Sequence, residues 1–591
     1  IRFEHEEMER NRELARLCHE KSIRVIAYCT FGTIVPDTIL FEEPDALSWA
    51  QINEDGHYTS CQTAHQHFRV RPCYNSRGWL DYMKRVVEKA LKMGLDGIHF
   101  DNIGYNAEPD SCKCPVCQKG FREYLTEKYS GSPEKDALGM ERFGFTDFTH
   151  ASLPWHNRWN QAINQRVVQG PLQQEWIQFK AQSLTNALAE IAAHIRSVNP
   201  NALVEANAGK AVGTNVQLWN GISLEKVYPL LDLAFNESGG FKLNEKGAMI
   251  TRVREMKMGR TGGVPVIMYC RNEAELAESL SFNQGCYAGG GGKELNQYFH
   301  KVKKYSARTE SLAEIAVLYH AETLAYSVNA PYESLITVSQ VLIENHIPFD
   351  VVYGCHLNSL GKYRLLILPD VECLSDDEAA AITSFVEGGG AVLATEAAGL
   401  FDNWRRTRVH NEITPHSMDE FSKMRSPKNA LARLFGTDTL TGSIFREFGK
   451  GRAAYIDEVE YVERMGTNPE VWMYDTRYWA VPKNADEILA AVDKLLPSPR
   501  FITKGDGKFI FEPLRVSETG EIALHVAVLD PIVAANIRID MAAASAPQKA
   551  VQIDRVKGER PVDAKFKDGR LKIKLEGMGY HNLVVLTGIA L

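Results

Sequence analysis

Short apolar runs alternate with long helical stretches through the first half of the chain, and each run closes on a small or polar residue. The runs are IRVIAYCTFG (23–32), LDGIHFDNIG (95–104), ALVEANAG (202–209), LDLAFNES (231–238), VPVIMYCRN (264–272) and SLSFNQGCYAGG (279–290). They are rich in β-branched and aromatic residues, which favour strands. Between them lie WLDYMKRVVEKALKMG (79–94) and WIQFKAQSLTNALAEIAAHIRSV (176–198), whose apolar residues recur at helical spacing. A helix between two strands returns the chain to the starting end of the sheet, so the strands must run parallel. The expected fold class is therefore α/β.

Six strands are visible in this region, and a closed (β/α)8 TIM barrel needs eight. The six read as strands 3 to 8, with two lost ahead of them. Residues 1–17 already read as a running helix and the chain does not open on Met, so upstream residues are expected to be missing. A doubly wound sheet is the competing architecture. The barrel is favoured because polar residues recur at the C-terminal ends of the runs: Asp101-Asn102, Asn207, Asn236-Glu237 and Arg271-Asn272. Barrel active sites are assembled at those ends. Asp96 and Asp232 stand at strand starts and read as structural. The barrel is expected over 1–311.

A second strand–helix pattern follows: EIAVLYH (314–320), a helix near 331–345, FDVVYG (349–354), YRLLILPD (363–370), a helix near 375–387 and GGGAVLATE (388–396), with GKGRAAYI (449–456) as closing strand. It predicts a flavodoxin-like α/β domain over 312–499, without a GxGxxG nucleotide fingerprint. From 500 to 591 the runs KFIFEPLRV, EIALHVAVLD, ANIRIDM, RLKIKLEG and HNLVVLTGI predict a small antiparallel β domain, sandwich-like.

The 591 residues have a formal net charge of −8 and no long basic run, which argues against nucleic acid or an anionic membrane as partner. No apolar stretch approaches the roughly 20 residues of a membrane span. Three of the eleven cysteines crowd into Cys112-Lys-Cys114-Pro-Val-Cys117. That spacing suits a thiolate-bound metal better than a disulfide framework, and a reducing, cytoplasmic setting is expected over a secreted one. A tetrahedral site needs a fourth ligand. Cys73 is the first candidate and Cys61 the second, with free thiols as the alternative. A closed four-sulfur site is structural and performs no chemistry.

The segments PDALSWAQINEDGHYTS, RVRPCYNSRGW, the Asp101 strand, CKCPVCQKGFREYLTEKY and the region 312–456 resemble glycoside hydrolase family 42, the β-galactosidases, and still more the barrel hydrolases related to them. The resemblance implies that a cysteine in an x-C-x-N-S motif joins the CxCxxC group to hold structural zinc, matching Cys73, Cys112, Cys114 and Cys117. It implies no catalytic cofactor, and a trimerisation-type middle domain, hence a homo-oligomer such as a trimer. Two departures stand out. Where the family has an Asn-Glu pair on strand 4, this chain has Asp101-Asn102. Where the family has a nucleophilic Glu at the end of strand 7, VIMYCRN offers no carboxylate until Glu273.

Glycoside hydrolysis needs two carboxyl groups flanking the scissile bond. The prominent strand-end acids are Asp101 and Glu237. By analogy with the layout of retaining α-glycosidases, Asp101 is assigned as nucleophile and Glu237 as acid/base. Sugar contacts are expected from His99, Asn102, Tyr105, Asn207, Trp219, Tyr269, Arg271 and Asn272. Glu205 on strand 5 reads as a buried paired carboxylate or a group in the barrel mouth. The loop with His65, His67, Arg69 and Arg71 reads as a cover for the pocket or a solvated loop. The expected activity is a glycosidase acting on an oligosaccharide or glycoside. The alternatives are an inverting hydrolase on the same site and a carbohydrate-binding protein without turnover.

Overall fold

The structure, a computed structural model, describes residues 4–591 except 61–68, 109, 155–166, 169, 209–214, 238–239, 283–285, 289–291, 329, 409–427 and 466–475. It divides into two compact units. The first comprises Ile1–Glu237, Gly262–Val264 and Leu324–Val328, and the second the remainder.

In the first unit four strands, β1 (Ile26–Thr30), β2 (Gly97–Asp101), β3 (Leu203–Asn207) and β4 (Leu233–Asn236), pair in parallel in that order. Side chains alternate between the faces of a strand, so register decides which residues share a face. Tyr28 stands opposite His99, Thr30 opposite Asp101, His99 opposite Glu205, and Asn207 opposite Phe235. One face is thus a polar row of Tyr28, His99 and Glu205, with a second row of Asp101 and Asn207 one step nearer the strand ends. The other face carries Ile98, Phe100, Val204, Ala206 and Ala234, none more than 1% exposed. Helices Arg77–Lys92 and Pro171–Val198 pack together behind the sheet. The first buries Trp79, Leu80, Met83, Val87, Ala90 and Leu91, one stripe at helical spacing. Each large apolar side chain sealed in this layer contributes about 1.5–3 kcal/mol.

In the second unit β5 (Val266–Cys270) and β6 (Cys286–Ala288) pair in parallel. The strand expected over 279–290 is only these three residues. Helix Glu273–Leu280 occupies its start, because Leu276, Ala277 and Leu280 extend one buried helical stripe. A further sheet has the order Phe349–Tyr353, Ile315–Tyr319, Leu365–Leu368, Ala391–Thr395, Gly451–Ile456, Ile444–Phe448. The first five strands run parallel and read as continuous apolar runs, as sheets covered on both faces do. Gly451–Ile456, expected to close the sheet, is an inner strand. A tight hairpin brings the more exposed Ile444–Phe448 back antiparallel along its free edge.

The C-terminal part forms two antiparallel sheets. Phe501–Lys504, Lys549–Asp554, Gly558–Pro561 and Asp563–Lys567 add four strands to the five read from sequence. Thr309–Ser311 joins the edge of one of these sheets. No helix among the described residues is long and apolar enough to cross a membrane.

Candidate active site

β2 ends by presenting Asp101, and its three neighbours close on it. Asn102 Nδ2 donates to Oδ2 at 2.8 Å and Asn207 Nδ2 donates to Oδ1 at 3.0 Å. The Tyr28 hydroxyl donates to Oδ2 as well. Three donors on one carboxylate hold it in a fixed orientation as an acceptor. Partial burial, then the bond to Asp101, pushes the Tyr28 phenol above its usual range, so it stays a donor. Glu237 and Arg69 belong to the same electrostatic neighbourhood of Tyr28.

The turn behind Asp101 is preorganised. Asn102 has φ +57°, the left-handed region that asparagine tolerates. Its carbonyl accepts from Arg71 Nη1 at 2.7 Å, which also donates to the Gly32 carbonyl at 3.2 Å. A β-carbon on Gly32 would lie 1.5 Å from the Asn102 carbonyl oxygen, so only glycine allows this approach. Arg71 Nε reaches Asn106 Oδ1 at 3.2 Å and ties down the loop beyond.

One step deeper, His99 Nδ1 lies 3.4 Å from Glu205 Oε1. The His99 ring stacks on Tyr28 with centroids 5.3 Å apart and meets Phe235 edge-on at 5.6 Å. Glu205 therefore pairs with a histidine, rather than with Arg or Lys, in a layer directly beneath Asp101.

The other expected contacts belong to several different elements. Glu237 follows β4 and is exposed. Tyr105 is 1% exposed, edge-on to Tyr74, with Cys117 and Cys73 as electrostatic neighbours; it is a core residue, not a sugar contact. The chain turns back into the core there because the Tyr105 N–H donates to Asn220 O. Trp219 sits on the short helix Val216–Asn220, beside a separate cavity. Tyr269, Arg271 and Asn272 fall in the second unit. Asn272 Oδ1 caps helix Glu273–Leu280 by accepting from Glu275 N at 2.9 Å, a structural use of that side chain. Asp96 and Asp232 are structural as expected: they accept the Val25 and Val204 amides at 2.7 and 2.8 Å and stitch adjacent strand starts together. Cys61, His65 and His67 lie outside the described residues.

Tyr28 and Arg71 complete the Asp101 site. Sequence reading left Tyr28 out and left Arg71 undecided between pocket and solvated loop. For Tyr28 the alternation along β1 was the available signal, since it shares a face with the strand-end position.

The four cysteines converge. Cys73, Cys112, Cys114 and Cys117 are buried with all four Sγ atoms within 4.8 Å of one another. The closest pairs are 3.4 Å (Cys73–Cys117), 3.5 Å (Cys73–Cys114) and 3.6 Å (Cys112–Cys117). Four sulfurs at about 2.3 Å from one ion would stand about 3.8 Å apart, so the donor set fits a tetrahedral metal site. Hydrogen bonds from Cys112 and its neighbours hold Cys114 far below the usual thiol range and raise Cys73 and Cys117, as expected where four thiols share too few acceptors. Asn75 Nδ2 approaches Cys117 Sγ at 3.4 Å. Cys114 also caps helix Pro115–Tyr129, so the cluster fixes the segment after the Asp101 loop.

Comparison with known proteins places this architecture. A β-galactosidase family model matches residues 13–234, and a β-galactosidase trimerisation-domain model matches 313–434. The curated β-galactosidase BglY of Alicyclobacillus acidocaldarius is 22% identical over 442 residues, 66% of this chain. The match spans 62% of that protein's length. Among solved structures, the family 42 β-galactosidase Gan42B of G. stearothermophilus superposes with TM-score 0.65 at 16% identity, covering 97% of this chain and 90% of its own. The β-galactosidase of Bacillus circulans sp. alkalophilus gives 0.64 at 14% identity, covering 97% and 91%. Two stretches of the chain thus match β-galactosidase family models, and its fold is like that of the family 42 β-galactosidases, a TIM barrel with additional domains.

Proposed function

We propose that the protein is a glycosidase that hydrolyses an oligosaccharide or glycoside, with Asp101 as its nucleophile and Glu237 as its acid/base. The observation that supports this most is the triple hydrogen bond to Asp101. A carboxylate whose lone pairs face Tyr28, Asn102 and Asn207 is held to attack or to accept, not to give up a proton. Glu237 is exposed at the end of the next strand but one and has room to protonate a leaving oxygen. The His99–Glu205 layer beneath fixes the Tyr28 ring and through it the Asp101 carboxylate.

If Asp101 attacks carbon, configuration is retained and the two carboxyl groups must stand about 5–5.5 Å apart. If it activates water, configuration inverts at about 6.5–9.5 Å. Product anomers read by NMR within the first minutes of turnover decide between the two. A screen of aryl α- and β-glycosides names the substrate. No turnover on any of them, with sugar binding intact, would sink the hydrolase reading in favour of a carbohydrate-binding protein.

The four-cysteine group suits structural zinc, which would crosslink the Cys73 loop to the start of helix Pro115–Tyr129. The trimerisation-domain match supports a homo-oligomer, with a trimer as the specific expectation.

A further inference from the structure

The loop leaving Asp101 runs to Glu108, where the first unit contains a cavity of about 80 Å³. Its wall is largely apolar, and includes Trp176, Trp219, Ile177, Glu108, Lys113 and Gln173. The polar points are few and fixed. Glu108 Oε1 accepts from Trp176 Nε1 at 2.7 Å and from Lys180 Nζ at 3.0 Å. Lys113 Nζ lies 3.2 Å from Glu108 Oε2, donates to Pro154 O at 3.0 Å and stands 4.7 Å from the centre of the Trp176 ring. Lys113, in the wall, and Lys180, behind Glu108, are 8% and 1% exposed, so both charges are held in the interior.

Trp219 differs. Its indole N–H is buried and has no acceptor among the described residues. Leaving a donor in that state costs about 1–3 kcal/mol, so a built reason is expected. Trp219 is not loosely held: the next residue, Asn220, accepts from the Tyr105 amide at 2.8 Å and donates to the Tyr105 carbonyl at 3.0 Å. The cavity is thereby tied to the loop that carries Asp101.

We propose that this cavity is a saccharide subsite separate from the Asp101 site, taking one edge of a neutral hydroxylated pyranose ring. Apolar walls with two indoles suit the C–H faces of a sugar, and an unpartnered N–H asks for a ligand oxygen. A pure hydrocarbon would leave that N–H unpaired. The charges at this wall are already engaged, Lys180 with Glu108 and Lys113 with Glu108, Pro154 and the Trp176 ring, so the partner on offer is the neutral indole N–H. The cavity has room for several waters but not for a whole sugar, so it would grip only part of a ring. The subsite extends the glycosidase reading but does not depend on turnover.

The test uses the full chain carrying Asp101→Asn, titrated with methyl β-D-galactopyranoside, methyl β-D-glucopyranoside and D-galacturonate while indole fluorescence is followed. A saturable change with at least one neutral glycoside is expected. Adding Trp219→Phe, which keeps a ring but removes the N–H, should raise Kd about tenfold, the worth of one good hydrogen bond. Val328→Phe, which adds bulk at another lining position, should abolish the response. The proposal is overturned if no neutral glycoside saturates, if Kd is unchanged in both variants, or if galacturonate binds as tightly. Persistent turnover in the Asp101→Asn chain would defeat the catalytic assignment alone and leave these readouts standing.

Discussion

At the scale of single residues, the chemistry depends on how Asp101 is held. Asp101→Asn keeps the shape and removes the charge, so turnover on the best glycoside should fall about a thousandfold or more. Loss of less than tenfold would show that another carboxylate does the work. Tyr28→Phe and Asn207→Ala each remove one donor and let the carboxylate turn. Misplacement of a reacting group costs up to about a hundredfold, so kcat should drop about ten- to a hundredfold with KM little changed. An effect confined to KM would mean that these side chains touch sugar rather than Asp101. Gly32→Ala is the sharpest backbone test, because the new methyl must push the Asn102 carbonyl away from its position. Activity should fall together with thermal stability; an unchanged kcat would show that the Asp101 turn tolerates movement.

At the scale of elements, the parallel strands hold the site by burying one face and freeing the other. Ile98→Ala opens a cavity between β2 and its helices and should cost about 2–5 kcal/mol in urea unfolding. In the C-terminal sheets a buried chain of hydrogen bonds makes a pH-dependent contribution. His525 Nε2 donates to Tyr305 O at 3.0 Å, so its Nδ1 accepts from His581 Nε2 at 3.0 Å, and His581 Nδ1 accepts from Tyr298 at 2.8 Å. Every position is used by the neutral tautomers. Burial holds both imidazoles below their ordinary value, His525 at about 4. Above the unfolded value near 6.5 neither state takes up a proton and this part of the stability is fully present; it drains away as pH falls from 6.5 towards 4. For His525 alone the loss is about 3 kcal/mol. Urea unfolding at pH 7.5 and 5 should show the drop in the native chain and a smaller one in His525→Gln; parallel curves would refute the assignment.

At the scale of the whole molecule, the cysteine cluster and the oligomer are the open structural commitments. One zinc per chain is expected by elemental analysis, and Cys117→Ser should abolish it and lower stability by several kcal/mol, as losing a structural metal does. A metal-free native protein would reduce the cluster to packed thiols. Light scattering should give roughly 200 kDa for a trimer of 66.3 kDa chains; a strict monomer would contradict the homo-oligomer. Much of this was legible beforehand because it depends on neighbours in sequence. Alternating runs mark strands and helices, Asp101 and Asn207 stand at strand ends, and CxCxxC announces its ligands through local spacing. Other features were decided by partners far along the chain. Tyr105 sits four residues past Asp101 yet is sealed in the core, because Asn220 draws its backbone inward. Tyr28 reaches Asp101 only because parallel pairing sets β1 beside β2. The segment 279–290 begins as helix because the buried stripe of the preceding residues outweighs its strand-like composition. Sequence alone therefore determined the elements, the strand-end acids and the thiol cluster, since periodicity and short spacing are properties of adjacent residues. Which side chains surround Asp101, and which were buried elsewhere, was settled only in three dimensions, where register and packing join residues tens of positions apart.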